Sequence, residues 1–140
     1  VPVLGLCFGG QVLSAALGGE VRQVDTPEFG WHEVDTDLPD AIAPGPWFEW
    51  HYDGFTVPDG ATEIARTAVS PQAFRIGRSV GTQFHPEITT EIVNLWISMD
   101  ERALRAHGVD PAVMAARTEE EAVDNRARSD ALVDWFLDGD

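Results

Sequence analysis

Residues Pro2 to Leu6 read PVLGL, an apolar run that passes through Cys7 into Gly9 and Gly10. A strand apolar on both faces has to be covered on both, which is the habit of a central parallel strand between layers of helix. The stretch that follows, QVLSAALGG, sets Val12, Leu13, Ala16 and Leu17 at helical spacing and stops on Gly18 and Gly19. Strand, tight turn and helix in immediate succession commit the chain to an α/β arrangement.

The rest of the chain divides into strands, then helices. Glu20–Asp25 and Trp31–Thr36 read as short strands around a turn at Pro27, and DLPDAIAPGP reads as a loop. Trp47–His51 reads as an aromatic strand, ended by a turn signal at YDGF. Thr62–Ala68 alternates like a half-buried strand, and Ala73–Ile76 and Val80–Phe84 flank GRS as a hairpin. From Thr89 the period turns helical, with Ile92, Val93, Trp96, Ile97 and Leu104 on one face. Pro111 opens a short helix, and Glu119–Leu137 forms a last one with Val123, Ala127, Leu132, Val133 and Phe136 inward. The acidic run Glu119–Glu121 suits the start of that helix. The expectation is an α/β domain with an antiparallel extension.

A length of 140 residues suits one domain. All nine basic residues are arginine, set against 24 acidic ones, for a net charge of -15. Such a surface repels phosphate backbones and anionic lipid, so neither nucleic acid nor membrane is expected as a partner. No apolar run nears the ~20 residues of a membrane span, and no signal segment is visible, so a cytoplasmic setting is expected. The single cysteine forbids an internal disulfide and leaves three roles for Cys7: buried filler, incidental thiol or nucleophile.

Its surroundings favour the nucleophile. Gly5 and Gly9 bracket Cys7 two residues to either side, as a sharp strand-to-helix elbow requires. The following helix aims the positive end of its dipole at the sulfur, and the Phe8 backbone N–H points where an oxyanion would form. A thiol nucleophile needs a base, and the base an orienting acceptor. VGTQFHPE offers both: His85 just past an apolar strand, and Glu87 two residues on. The competing reading is a surface histidine at a strand end. His51-x-Asp53 and His85-x-Glu87 imitate metal ligands, but there is no second cysteine and no helical H-x-x-x-H, so no metal site and no cofactor are expected. His32 and His107 read as surface residues, and Trp31, Trp47, Trp50, Trp96 and Trp135 as core.

GLCFGGQ with a distant GTQFHPE resembles the class I, triad-type glutamine amidotransferases, whose signatures are G-x-C-x-G-x-Q and F-H-P-E. PEFGW and WHYDGFTVPDGATEIA are similar to family segments, and the likeness runs from residue 1 to about residue 97, most closely to the GMP-synthase-like subgroup. The resemblance implies a three-layer, flavodoxin-like domain with a mostly parallel central sheet. It implies Cys7 as nucleophile, His85 as general base and acid, Glu87 as the group that orients it, and Phe8 as an oxyanion-hole N–H. Gln11, Asp53, Gly54 and Phe55 are implied in binding the substrate, L-glutamine.

The implied activity is hydrolysis of the glutamine side-chain amide through a cysteine thioester. The ammonia would go to a synthetase partner in nucleotide or amino-acid biosynthesis. Two other readings stay open: a γ-glutamyl amide or peptide hydrolase with the same triad, and a non-catalytic regulatory or interaction domain. The family also has strands and a glycine-rich loop before the nucleophile strand. Residues 1–140 are therefore expected to be one partial domain whose N-terminal strands are missing, with motifs over 1–97 and C-terminal helices over 98–140. Alone, it is expected to lack a complete active site.

Overall fold

A computed structural model describes residues 1–139. Strand β1 (Leu4–Leu6) leads through Cys7 into helix α1 (Phe8–Ala16). Five strands follow: β2 (Val21–Thr36), β3 (Gly45–Phe55), β4 (Thr62–Arg66), β5 (Pro71–Ile76) and β6 (Ser79–Thr82). Helices α2 (Thr90–Ala106) and α3 (Pro111–Asp138) end the chain. The six strands form one sheet in the order β1-β6-β5-β4-β2-β3. None of the described helices is long and apolar enough to cross a membrane.

Alternation along the strands puts helices on both faces of this sheet. Val80 of β6 and Ala73 of β5 join Ile64, Trp47, Phe84 and Leu132 of α3 in one buried cluster. Their neighbours Gly81 and Phe74 face the other way, where Gly81 lies against Gly10 of α1 and the Phe74 ring. The result is the three-layer order α3, sheet, α1. A second apolar cluster, with Phe29, Phe48, Ile88, Val93, Leu104 and Met114, seats α2 and the start of α3 on the β2–β3 ribbon.

The strand directions differ from expectation. Only β1 and β6 run parallel, with Leu4 opposite Val80 and Leu6 opposite Thr82. The other four pairings are antiparallel. Hairpins join β2 to β3, β4 to β5 and β5 to β6, while β4 pairs back onto β2, so the antiparallel extension makes up most of the sheet. Strand β1, read from sequence as central, stands at one end of the strand order.

Several boundaries shift for local reasons. The two short strands around Pro27 are one strand, because a bulge sets Val24–Pro27 opposite Tyr52 alone and absorbs the proline. YDGF closes β3 rather than turning it, with Gly54 paired to Arg22. The short helix at Pro111 and the last helix are a single helix of 28 residues, N-capped by Asp110, whose side chain accepts from the Ala112 N–H. The acidic run thus lies mid-helix, where Glu121 pairs with Arg117 at 2.6 Å and Arg128 at 3.2 Å.

The buried helix faces also differ. In α1 the buried residues are Gly10, Gln11 and Ser14, while Val12, Ala16 and Leu17 are exposed. A Cβ at Gly10 would strike the Thr82 carbonyl, so the helix lies too close to β6 for a bulky face. In α3 the inward residues include Thr118, Asn125, Ser129 and Leu132, while Val123 and Ala127 face solvent. Half of that buried face is polar, so its period is invisible to a count of apolar residues. The face of α2 is as expected: Val93 and Leu104 are buried, and Ile92, Trp96 and Ile97 are partly so.

Candidate active site

Cys7 occupies the one residue between β1 and α1. Its φ of 48° and ψ of -105° belong to a region that glycine alone enters without strain, and it is the only non-glycine residue with positive φ among those described. The small residues around it make this bend feasible. A Cβ on Gly5 would overlap the Gly9 carbonyl, so the chain can fold back on itself only if residue 5 is glycine. The bend turns the thiol off the sheet at the N-terminus of α1. Phe8 is the first helical residue, so its N–H has no partner within the helix.

His85 lies in the loop between β6 and α2, beside Cys7 on the wall of one open cleft. Its backbone N–H donates to the Phe48 carbonyl at 2.8 Å, and its ring meets Trp96 edge-on at 5.1 Å. Nδ1 hydrogen-bonds Glu87 Oε1 at 2.6 Å, and the ring also interacts with the Cys7 sulfur. Burial works against charge on the imidazole. Hydrogen bonds to Cys7 and Glu87 outweigh it and hold the pKa up near 10. Cys7 and His85 thus share one cleft wall, and Glu87, half exposed, holds the ring through Nδ1.

Helix α3 holds that loop in place. Ser129 Oγ donates to the Pro86 carbonyl at 2.5 Å, and Asn125 Nδ2 donates to the Pro86 and Ile88 carbonyls at 3.5 and 3.4 Å. The backbone on either side of Glu87 therefore hangs from two buried polar residues, neither of which belongs to a motif.

Of the remaining candidates, Gln11 and Asp53 connect to Cys7 through Gln83. Gln11 is buried and donates through Nε2 to the Asp53 carbonyl at 3.0 Å and to Gln83 Oε1 at 3.3 Å. Gln83 Nε2 in turn donates to Cys7 Sγ at 3.4 Å. Asp53 thus takes part through its backbone, while its side chain is solvent-exposed. Gly54 and Phe55 do not line the cleft: Phe55 is buried edge-on against Phe74 at 5.1 Å. Trp50 and Trp96, read as core, do line it, together with Met99 and Asp100 at a kink in α2. That kink was not legible, because the apolar period of α2 runs through it.

Beneath β3 lies a buried polar cluster of Glu28, Glu49 and His51. His51 donates from Nδ1 to the Asp53 carbonyl at 2.8 Å and from Nε2 to Glu28 Oε1 at 3.0 Å, with Glu49 Oε2 at 3.3 Å. Gln72 Nε2 also donates to Glu28 Oε1, at 2.9 Å. Burial alone would keep His51 neutral; hydrogen bonds to Glu28 and Glu49 prevail and raise its pKa to about 10. Burial pushes the Glu49 carboxyl up to about 7 despite the imidazolium beside it. In this arrangement both His51 nitrogens serve acceptors. Glu28 and His51 stood in the quoted PEFGW and WHYDGF, but nothing in those strings links them to each other.

Comparison with known proteins agrees with this geometry. The family model for glutamine amidotransferase class-I matches residues 1–94. The chain belongs to the class I glutamine amidotransferase family. It is 39% identical over 112 residues to the GMP synthase [glutamine-hydrolyzing] of Aeropyrum pernix, a match covering 70% of this chain and 22% of the relative. A solved glutamine amidotransferase from Thermotoga maritima superposes with TM-score 0.88 at 27% identity, covering 98% of this chain and 63% of that one. Another from Methylobacillus flagellatus superposes with TM-score 0.90 at 27% identity, covering 99% and 63%. The chain therefore spans about a fifth of the length of that curated relative and under two thirds of these solved ones.

Proposed function

We propose that the domain hydrolyses the side-chain amide of L-glutamine, with Cys7, His85 and Glu87 as its catalytic triad. The observation that carries this reading is Cys7, at a strained elbow on a helix N-terminus, sharing a cleft with a His85 ring that is bonded to Glu87. His85 takes the proton of the Cys7 thiol, and Glu87 orients the ring through Nδ1. The sulfur attacks the side-chain carbonyl carbon of glutamine, a C–S bond forms, and the carbonyl electron pair moves to oxygen. The Phe8 N–H stabilises that oxyanion. His85 gives its proton to the departing nitrogen, the C–N bond breaks, and ammonia leaves a γ-glutamyl thioester. Water then attacks the thioester and loses a proton to His85. The C–S bond breaks, its electron pair returns to sulfur, and glutamate departs.

Of the substrate-binding residues that the family resemblance implies, Gln11 and the Asp53 backbone, which are linked to Cys7 through Gln83, are proposed to help hold the substrate, whereas Gly54 and Phe55 stand away from the cleft. The similarity to proteins named GMP synthase supports delivery of ammonia to a synthetase active site, in nucleotide biosynthesis, within the cytoplasm. The test is covalent labelling with a glutamine-derived electrophile followed by peptide mapping. Modification of Cys7, suppressed by free glutamine, is expected. Labelling elsewhere, or labelling that glutamine does not compete with, would overturn the reading.

A further inference from the structure

The polar residues behind Cys7 form an unbroken chain whose direction is set from its far end. A backbone carbonyl can only accept a hydrogen bond, so at Asp53 the Gln11 side chain must present its amide nitrogen. That nitrogen can only donate, so Gln83 must turn its oxygen towards Gln11. The Gln83 amide nitrogen is then left facing Cys7 Sγ, 3.4 Å away. At the other end, the Asp53 carbonyl is held by His51 Nδ1, and His51 is clamped through Nε2 by Glu28. Glu28, Glu49, His51 and Gln83 are all buried, so water cannot readily reorient the chain.

We propose that Gln83 is a catalytic residue that donates a hydrogen bond to the Cys7 sulfur, and that His51 is a positioning residue which, anchored by Glu28, fixes the direction of that bond. Gln83 steadies negative charge on the sulfur before attack, and again when the C–S bond of the thioester breaks and its electron pair returns there. The sulfur thus has a fixed amide donor besides the His85 ring with which it shares the cleft wall. Gln83 immediately precedes Phe84-His85, so the same loop delivers both. The proposal rests on Cys7 being the nucleophile and is tested separately from the substrate assignment.

The experiment is the rate of alkylation by iodoacetamide, which reports on thiolate and is read at Cys7 by peptide mapping, the one cysteine of residues 1–140. Gln83→Met keeps length and removes the donor; the rate at neutral pH is expected to fall roughly tenfold. His51→Leu is expected to slow alkylation similarly. His51→Asn, whose amide nitrogen can replace Nδ1 at the Asp53 carbonyl, is expected to restore most of the rate. Near-UV circular dichroism of each variant checks that packing is intact. Should His51→Leu fail to fold, Gln83→Met decides the matter alone. Wild-type rates in folded Gln83→Met would overturn the proposal, and equal rates in His51→Leu and His51→Asn would overturn the role of His51. If wild-type Cys7 resists the glutamine-derived electrophile, the substrate reading fails, yet the iodoacetamide comparison still stands or falls by itself.

Discussion

At the residue scale, the nucleophilic role proposed for Cys7 sets stability against reactivity. Its positive φ places the sulfur clear of the sheet, and such a conformation costs a non-glycine residue about 1–3 kcal/mol. Cys7→Gly removes that strain together with the thiol. It is expected to stabilise the fold by about 1 kcal/mol, after the loss to greater chain entropy in the unfolded state, while abolishing electrophile labelling. Denaturant midpoints of the two proteins check this; a less stable glycine variant would mean that the elbow is not strained. Gly5 and Gly10 owe their identities to the same elbow, since either Cβ would meet backbone rather than a movable side chain.

At the scale of elements, a helix outside the motif-bearing region governs the site. Helix α3 contributes no proposed catalytic group, yet Ser129 and Asn125 satisfy the carbonyls around Glu87. Ser129→Ala leaves the Pro86 carbonyl with only the long bond from Asn125. The expected stability loss is about 1–2 kcal/mol. A drop in turnover larger than the change in KM is also expected, because the Glu87–His85 contact loosens while the substrate-binding side stays intact. Steady-state kinetics on the full protein with its natural neighbours check this, and a pure KM effect would contradict it. The kink at Asp100 makes the same point for α2, whose Met99 and Asp100 border the cleft beside Trp96.

At the scale of the whole molecule, the buried ionisable groups set the pH dependence of folding. The folded-state pKa of Glu49 is about 7, above its ordinary 4.5, and that of His51 is about 10, above its ordinary 6.5. A group whose pKa is raised by folding contributes stability that is complete below its unfolded value and lost as pH rises through the folded one. Glu49 therefore withdraws stability between about pH 4.5 and 7, and His51 between about 6.5 and 10. His85 adds to the second window, its pKa being raised from 6.5 to about 10. Urea midpoints are expected to decline steadily from pH 5 to pH 9, and Glu49→Gln to flatten the lower part of the decline. A midpoint that climbs over this range would show that the cluster is not protonated as its hydrogen bonds require. The net charge of -15 acts in the same direction, since further deprotonation adds to self-repulsion.

The elbow and the His85–Glu87 pair could be read from sequence because each is local: glycines beside a thiol, and two residues two positions apart on a turning backbone. The hairpin of β5 and β6, the face of α2 and the α/β class were legible for the same reason, a period repeating within a few residues. The polar face of α3 was not, because apolar periodicity is blind to Asn125 and Ser129. Nor was the single long β2, because a proline that reads as a turn is tolerated at a bulge opposite Tyr52. Most of all, the chain from Glu28 through His51, Asp53, Gln11 and Gln83 to Cys7 joins residues up to 76 positions apart. By itself the sequence determined which chemical groups exist and where the backbone must bend. Which of them meet, and which way each amide points, was decided only when packing buried them together and every donor had to find an acceptor.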